Sequence, residues 1–249
     1  MKAINKQTVL IGFVLISMFY FNACKKEETP IKQQTDSITA NGIVYKTVKI
    51  GTQWWMAEDL KVKKYRNGDP IDSVNVNFDA GKKQWDTTKA GSYFQQGTIF
   101  LYNWYAIGDS RNIAPAGWHM PTDDEWKQLE MSQGMSQTDA DKVNFRGTDQ
   151  GNKLKTYLGW TGVSESDQFK IYGTNESGFS ARANGAVMLV NIDNQIKNPE
   201  VSKTGFWWTA TVEQDSMAWY RYMDYNKANV FRYYGSKHYG FSVRCVKDK

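Results

Sequence analysis

Apolar residues follow three rhythms along this chain, and each predicts a different element. From Val9 to Phe21 they are continuous apart from Gly12 and Ser17. A run of 13 residues is shorter than the roughly 20 a bilayer-spanning helix needs, but it suits the centre of an export signal, with Lys2 and Lys6 as its basic start. From Ile43 to Ile50 the residues are β-branched, aromatic and basic, which predicts a strand. Gly51-Thr52 then predicts a two-residue turn, and Gln53-Trp54-Trp55-Met56 the returning strand. Strict alternation comes near the end. Trp219 and Arg221 fall on one side of a strand, Tyr220 and Tyr222 on the other. Phe241, Val243 and Cys245 would share the core side of a closing strand, with Ser242 and Arg244 opposite.

Helical signals are fewer. In Pro121-Thr122-Asp123-Asp124-Glu125-Trp126 the threonine is placed to cap a helix, with Glu125 three residues on and acids in the first turn, where the helix dipole favours them. Trp126 and Leu129 would be its buried stripe and Gly134 its end. A second, shorter helix is expected over Lys153 to Leu158, before Gly159. Many short strands with two helices predict an α+β fold and exclude a doubly wound parallel sheet.

The apolar leader stops at Phe21-Asn22-Ala23-Cys24, which resembles a bacterial lipoprotein cleavage box with Cys24 as the lipid-bearing residue. Ordinary cleavage near Ala23 or an uncleaved signal anchor are the alternatives. Residues 1–23 are therefore read as the signal peptide. Residues 24–39, with Lys25-Lys26-Glu27-Glu28 and Gln33-Gln34, hold too few apolar groups to repay ordering and are read as a flexible tether. This charged stretch resembles the surface-export signal of lipoproteins in Bacteroides-like bacteria, a plain solvated linker being the alternative. No Pro- or Ser-rich break divides Ala40 from Lys249, so residues 40–249 are read as one domain.

Composition narrows the function classes. The 249 residues are 41% hydrophobic, 23% charged and 14% aromatic, which excludes a disordered chain. Two cysteines cannot staple so long a chain, so an apolar core must hold it. The formal net charge is +5, and loss of Lys2 and Lys6 with the leader lowers it to +3. That small excess gives no case for nucleic acid. The two histidines have no cysteine cluster around them, so no zinc site and no cofactor are expected. Asp139-Ala140-Asp141 opens like a calcium loop, but Val143 and the missing downstream pattern break it.

Five motifs occur in an order that resembles one family: Trp55-Met56-Ala57-Glu58-Asp59-Leu60, Leu101-Tyr102-Asn103-Trp104-Tyr105-Ala106, Gly117-Trp118-His119-Met120-Pro121, Phe206-Trp207-Trp208-Thr209-Ala210-Thr211 and Ser242-Val243-Arg244-Cys245-Val246. They resemble the Fibrobacter succinogenes major paralogous domain, common in secreted and lipid-anchored proteins of Bacteroides-like bacteria. That family has no established general activity. A more distant similarity, carried by Met120 to Trp126 and Gly240 to Cys245, is to formylglycine-generating enzymes. It implies a C-type-lectin-like fold whose last strand lies beside the opening ones.

That similarity invites an enzyme hypothesis, but formylglycine-generating enzymes use a pair of cysteines, and after export this chain offers Cys245 alone. The resemblance also implies that many relatives carry a cysteine where Ala114 precedes Pro115, leaving Cys245 unpaired here. A structural thiol and a structural His119 are expected, with a Cys–His dyad involving His119 or His238 as the alternative. Helix capping accounts for Asp123, Asp124 and Glu125. No catalytic residue is assigned.

Between Trp207 and Tyr239 rings are interleaved with short polar groups. Trp208, Trp219, Tyr222, Asp224, Tyr225, Asn226, Asn229, Tyr233, Tyr234 and Tyr239 form the candidate binding set, because rings offer large area at low entropic cost and amides pair with sugar hydroxyls. The alternative is that the rings fill two strands, with Arg221 and Arg232 stacked on them. Trp54, Trp55, Trp104, Trp118, Trp126 and Trp207 are expected in the core. Asp36-Ser37-Ile38, Asp72-Ser73-Val74 and Asp215-Ser216-Met217 resemble an O-glycosylation triplet of Bacteroides-like bacteria. The expectation is an outer-membrane or cell-surface lipoprotein, held in the membrane by its lipid, with a non-catalytic domain that binds glycan or protein. An enzyme of altered chemistry and a structural component of a surface assembly are the rivals.

Overall fold

A hairpin, a closing strand and one capped helix organise the chain. The computed structural model describes residues 33–74, 91–160, 173–190, 195–197 and 201–249. The expected leader, Cys24 and the first part of the tether lie outside the described residues. Strand β2 (Ile43–Ile50) and strand β3 (Gln53–Met56) fall where the sequence pattern put them, joined through Gly51 at φ +58°. Their register sets Val48 against Trp55 and Lys49 against Trp54. Trp55 is thereby fully buried, while Trp54 is only partly covered.

The tether expectation fails at its end. Thr35–Ala40 is strand β1, antiparallel to β2 from Thr35 opposite Val48 to Ala40 opposite Ile43. Thr35, Asp36, Ser37 and Thr39 are exposed and only Ile38 and Ala40 reach the core, so backbone hydrogen bonding orders most of this edge. Counting apolar residues could not reveal it. On the other side of β3 lies strand β14 (Val246–Lys247), followed by strand β7 (Trp118–His119), giving the sheet order β1-β2-β3-β14-β7. The end of the chain is thus clasped between its opening hairpin and the segment before the main helix. Regular pairing in the closing segment is shorter than predicted. Phe241, Val243 and Cys245 are in the core as expected, but Ser242 and Arg244 on the opposite side are also fully buried.

Helix α2 (Asp123–Ser132) begins as predicted. The Thr122 hydroxyl accepts from the Glu125 N–H at 3.2 Å, and the Glu125 carboxylate accepts from the Thr122 N–H at 2.8 Å. Trp126 and Leu129 are fully buried on its inner side. This helix packs on a second sheet of order β11-β12-β13-β8: β11 (Thr204–Gln214), β12 (Met217–Asp224), β13 (Val230–Ser236) and β8 (Asn144–Arg146). Smaller sheets join β4 (Asp72–Ser73), β5 (Ser92–Gln96) and β6 (Ile99–Tyr102), and pair β9 (Met188–Val190) with β10 (Gln195–Lys197). Helix α1 (Trp104–Ile107) and helix α3 (Gln137–Ala140) are single turns. The architecture is strand-rich α+β.

The second predicted helix is displaced. Helix α4 covers Gln150–Leu154, not Lys153 to Leu158. Lys155 leaves the helical conformation at ψ 143°, and its fully buried ammonium donates at 2.9 Å to the carbonyls of Asp224 and Lys227. Burial pushes the Lys155 ammonium down to about 8, against the pull of the Asp224 charge. A tertiary contact therefore ends this helix, not its own propensity.

Trp55, Trp126 and Phe179 meet edge to face, with ring centres 5.2–5.8 Å apart. Trp118 and Trp207 are buried as predicted. Trp104 is not a core residue. It is half-buried, donates to the Thr209 carbonyl at 3.0 Å, and lies 4.4 Å beneath the Lys237 ammonium.

Candidate functional site

Alternation in β12 sends its side chains to two unlike environments. One face looks at α2 and is charged. Arg221, fully buried, donates through Nε to Glu130 at 2.7 Å and through Nη1 to Asp123 at 2.7 Å. Arg232, opposite it in register, donates to the other Asp123 oxygen at 2.7 Å, and Arg146 donates to Glu130 at 2.5 Å. Two carboxylates thus bind three guanidiniums. Burial alone would raise the Asp123 carboxyl, but the Arg232 and Arg221 guanidiniums outweigh it and hold it well below the usual carboxylate range. Asp123 is therefore an ion-pair partner and not merely the cap-proximal acid the sequence suggested. Arg232 also lies 3.7 Å from the Trp219 ring centre, and Arg221 lies 5.8 Å from that of Trp126. All four lone-pair-bearing oxygens of the two acids accept from arginine, so the cluster holds α2 to the sheet and offers no free base.

The opposite face is aromatic. Tyr220 and Tyr222 from β12 and Phe231 and Tyr233 from β13 are half-buried, with Phe145 of β8, 36% exposed, 5.0 Å from Phe231 at its margin. Phe206 stacks on Tyr222 at 4.6 Å and on Phe241 at 5.1 Å, forming the floor. The Tyr222 hydroxyl donates to Asp224 at 2.5 Å, and the other Asp224 oxygen accepts from the Asn226 N–H at 3.0 Å. The rings thus line one side of the sheet beside a polar turn, partly filling it as the strand-filling alternative has it.

The ten candidate residues do not all share it. Trp208 is fully buried, with its ring 4.3 Å from Phe241 and its indole N–H on the Tyr102 carbonyl, so it cannot meet a ligand. Trp219 and Tyr234 oppose each other on the α2 side, where Arg232 covers the tryptophan. Tyr222, Tyr233 and Tyr239 remain on the aromatic face, Asp224, Asn226 and Asn229 belong to the β12–β13 turn region, and Tyr225 packs instead against the separate core cluster that holds Trp126, Leu154 and Met223. Phe145 carried no sequence signal, because only the pairing of β8 with β13, which sets Phe145 opposite Phe231, brings it there.

The residues considered for chemistry are placed apart from this face. Cys245 is fully buried and unpaired, and burial pushes its thiol up to about 12. Ala114 lies in the same apolar cluster. A thiol reagent should therefore leave Cys245 unmodified in the native protein and label it after denaturation, read by intact mass; native labelling would contradict the burial. His119 is held between two carboxylates, Nδ1 at 2.6 Å from Asp248 and Nε2 at 2.9 Å from Glu125. Both ring nitrogens are thus engaged, and neither serves Cys245.

Partial burial works against the charged imidazole, but the bonds to Asp248 and Glu125 outweigh it and raise the His119 pKa above 6.5. The stabilisation is complete below the unfolded histidine value and is lost as pH rises through the raised one. Melting temperature measured from about pH 6 to about pH 8.5 should fall more steeply in the native chain than in His119→Gln; equal slopes would remove His119 as the cause. Among the described residues no group of three His, Cys, Asp or Glu side chains forms a metal set. Ser37, Ser73 and Ser216, the hydroxyl residues of the three triplets, are exposed.

The sequence pattern of the Fibrobacter succinogenes major domain matches residues 48–247. No curated protein and no solved structure matches the chain.

Proposed function

The chain belongs to the Fibrobacter succinogenes major domain family, and from that premise we propose that it is an exported, lipid-anchored surface protein whose domain binds glycan or protein without catalysis. The observation that carries the reading is the half-buried ring face of Tyr220, Tyr222, Phe231 and Tyr233, with the Asp224–Asn226 turn at its edge. Rings left partly open beside polar groups suit sugar faces and peptide side chains alike. The lipid attaches at Cys24, and the protein sits at the outer membrane or cell surface. A C-type-lectin-like arrangement is supported by β14 lying between β3 and β7, close to the opening hairpin. The inaccessible Cys245 thiol and the engaged His119 favour binding over catalysis.

Cells expressing the full chain should incorporate labelled palmitate, lose that label in Cys24→Ser, and expose the domain to added protease. The detergent-solubilised lipoprotein should retain ligands on a glycan array or in a pull-down, and a Tyr220→Ser/Tyr233→Ser variant with native melting should lose them. An unlabelled protein in the soluble interior would refute the anchoring. Turnover that disappears in Cys245→Ser would refute the non-catalytic reading.

A further inference from the structure

A second site of different chemistry lies away from the aromatic face. A cleft of about 620 Å³ opens between the β1–β2 turn, the segment after β3 and the β5–β6 hairpin. That volume is in the range of small-ligand pockets. Its floor is apolar: Phe100 from β6 and Ile43, which is 37% exposed at the start of β2. Its wall carries Lys61, Lys63 and Lys64, and the Lys63 ammonium stands 5.7 Å from the Phe100 ring centre.

These lysines differ from three others in lacking an acidic partner. Lys127, Lys142 and Lys153 each have a carboxylate within 3.5 Å. Among the described residues no carboxylate lies within 4.0 Å of the ammonium groups of Lys61, Lys63 or Lys64, and no acid lines the cleft. Three like charges around one cavity repel each other, and an anion entering it relieves that repulsion. Rim groups are neutral and polar, with the Asn41 and Gln95 amides and the Thr98 hydroxyl. Gln95 donates through Nε2 to the Gly97 carbonyl at 3.0 Å, which fixes its amide at the mouth.

We propose that this cleft binds an acidic sugar chain, with carboxylate or sulfate groups on Lys61, Lys63 and Lys64 and the C–H face of one ring on Phe100 and Ile43. A single apolar floor, edged by amides and a hydroxyl, fits a ligand dense in hydroxyls. An anionic membrane surface is the other source of such charge. A lipid headgroup array brings charge but no ring face for the Phe100 and Ile43 floor, which an acidic sugar chain supplies.

The test uses the full chain in detergent, titrated calorimetrically with trigalacturonate and a heparin tetrasaccharide, with maltotriose as neutral control and phosphatidylglycerol vesicles as the lipid arm. At least one acidic probe should bind and maltotriose should not. Affinity should fall steeply with salt, and Lys61→Gln/Lys63→Gln/Lys64→Gln should weaken it at least tenfold while melting as the native chain does. Ile43→Ser should weaken it at constant salt dependence. The Tyr220→Ser/Tyr233→Ser variant should bind these probes as the native chain does, which separates this site from the aromatic face. Binding unchanged in the triple lysine variant, equal binding of maltotriose, binding to vesicles alone, or no binding of either acidic probe would each overturn the proposal.

Discussion

Arg221→Met should lower the unfolding free energy by roughly 3–5 kcal/mol, because each of two buried acids loses one of its guanidinium partners. Methionine approximates the length of arginine and its packing, so the loss is electrostatic. Glu130 is fully buried and keeps only Arg146, while Asp123 is 5% exposed and keeps Arg232. Neither acid can recover its hydration without opening α2 away from β12. In a chain of this size the melting point should drop by about 10 °C. The acid limb should move as well. Asp123 has a depressed pKa in the fold, so its stabilisation is full above the ordinary carboxyl value and is lost as pH falls. Removing Arg221 raises that pKa, and acid unfolding should begin at higher pH. Urea denaturation at neutral pH checks the first expectation; a loss under about 1 kcal/mol, the value of an exposed pair, would show that the cluster is solvated.

Asp59→Asn should have a similar effect, again about 3–5 kcal/mol, through a different set of contacts. One Asp59 oxygen accepts from Arg244 Nε at 2.7 Å and from the Trp207 indole at 2.9 Å, and the other from the Asn184 amide at 2.6 Å. Asparagine keeps the shape but removes the charge and turns a donor toward one of these donors. Arg244 is fully buried, with its remaining N–H groups on the carbonyls of Phe179 and Ser180. It would then be an uncompensated cation in the core. Adding Arg244→Met to Asp59→Asn should return part of the loss, since both members of the pair are then gone. A double variant less stable than Asp59→Asn would mean that Arg244 acts mainly through its carbonyl contacts.

This pair also explains why three of the five motifs are spaced so far apart in the chain. Asp59 comes from the first, Trp207 from the fourth and Arg244 from the last, and they meet at one carboxylate. These three motif residues do structural work in the interior. The same holds for Trp118, buried beside the strand it shares with His119.

Local signals were legible without coordinates wherever one short segment contained both the cause and its effect. The β2–β3 hairpin with Gly51, the Thr122–Glu125 capping box, the Trp126–Leu129 stripe and the two faces of β12 depend on residues within a few positions of one another. The strand-rich α+β class follows from the same short-range information, as does the family through its ordered motifs. Tertiary structure decided the rest, because the partners are distant and are chosen by packing. Pairing with β2 ordered Thr35–Ala40 with most of it left exposed, and the carbonyls near Asp224 drew Lys155 inward and ended α4. The core took Trp208 out of the aromatic face, and β8 added Phe145. Only the fold could reveal that Asp123 and Arg244 are neutralised inside, whereas among the described residues no carboxylate lies within 4.0 Å of Lys61, Lys63 or Lys64. Charge appears in a sequence as a count, whereas its energy depends on distance and on exclusion of water.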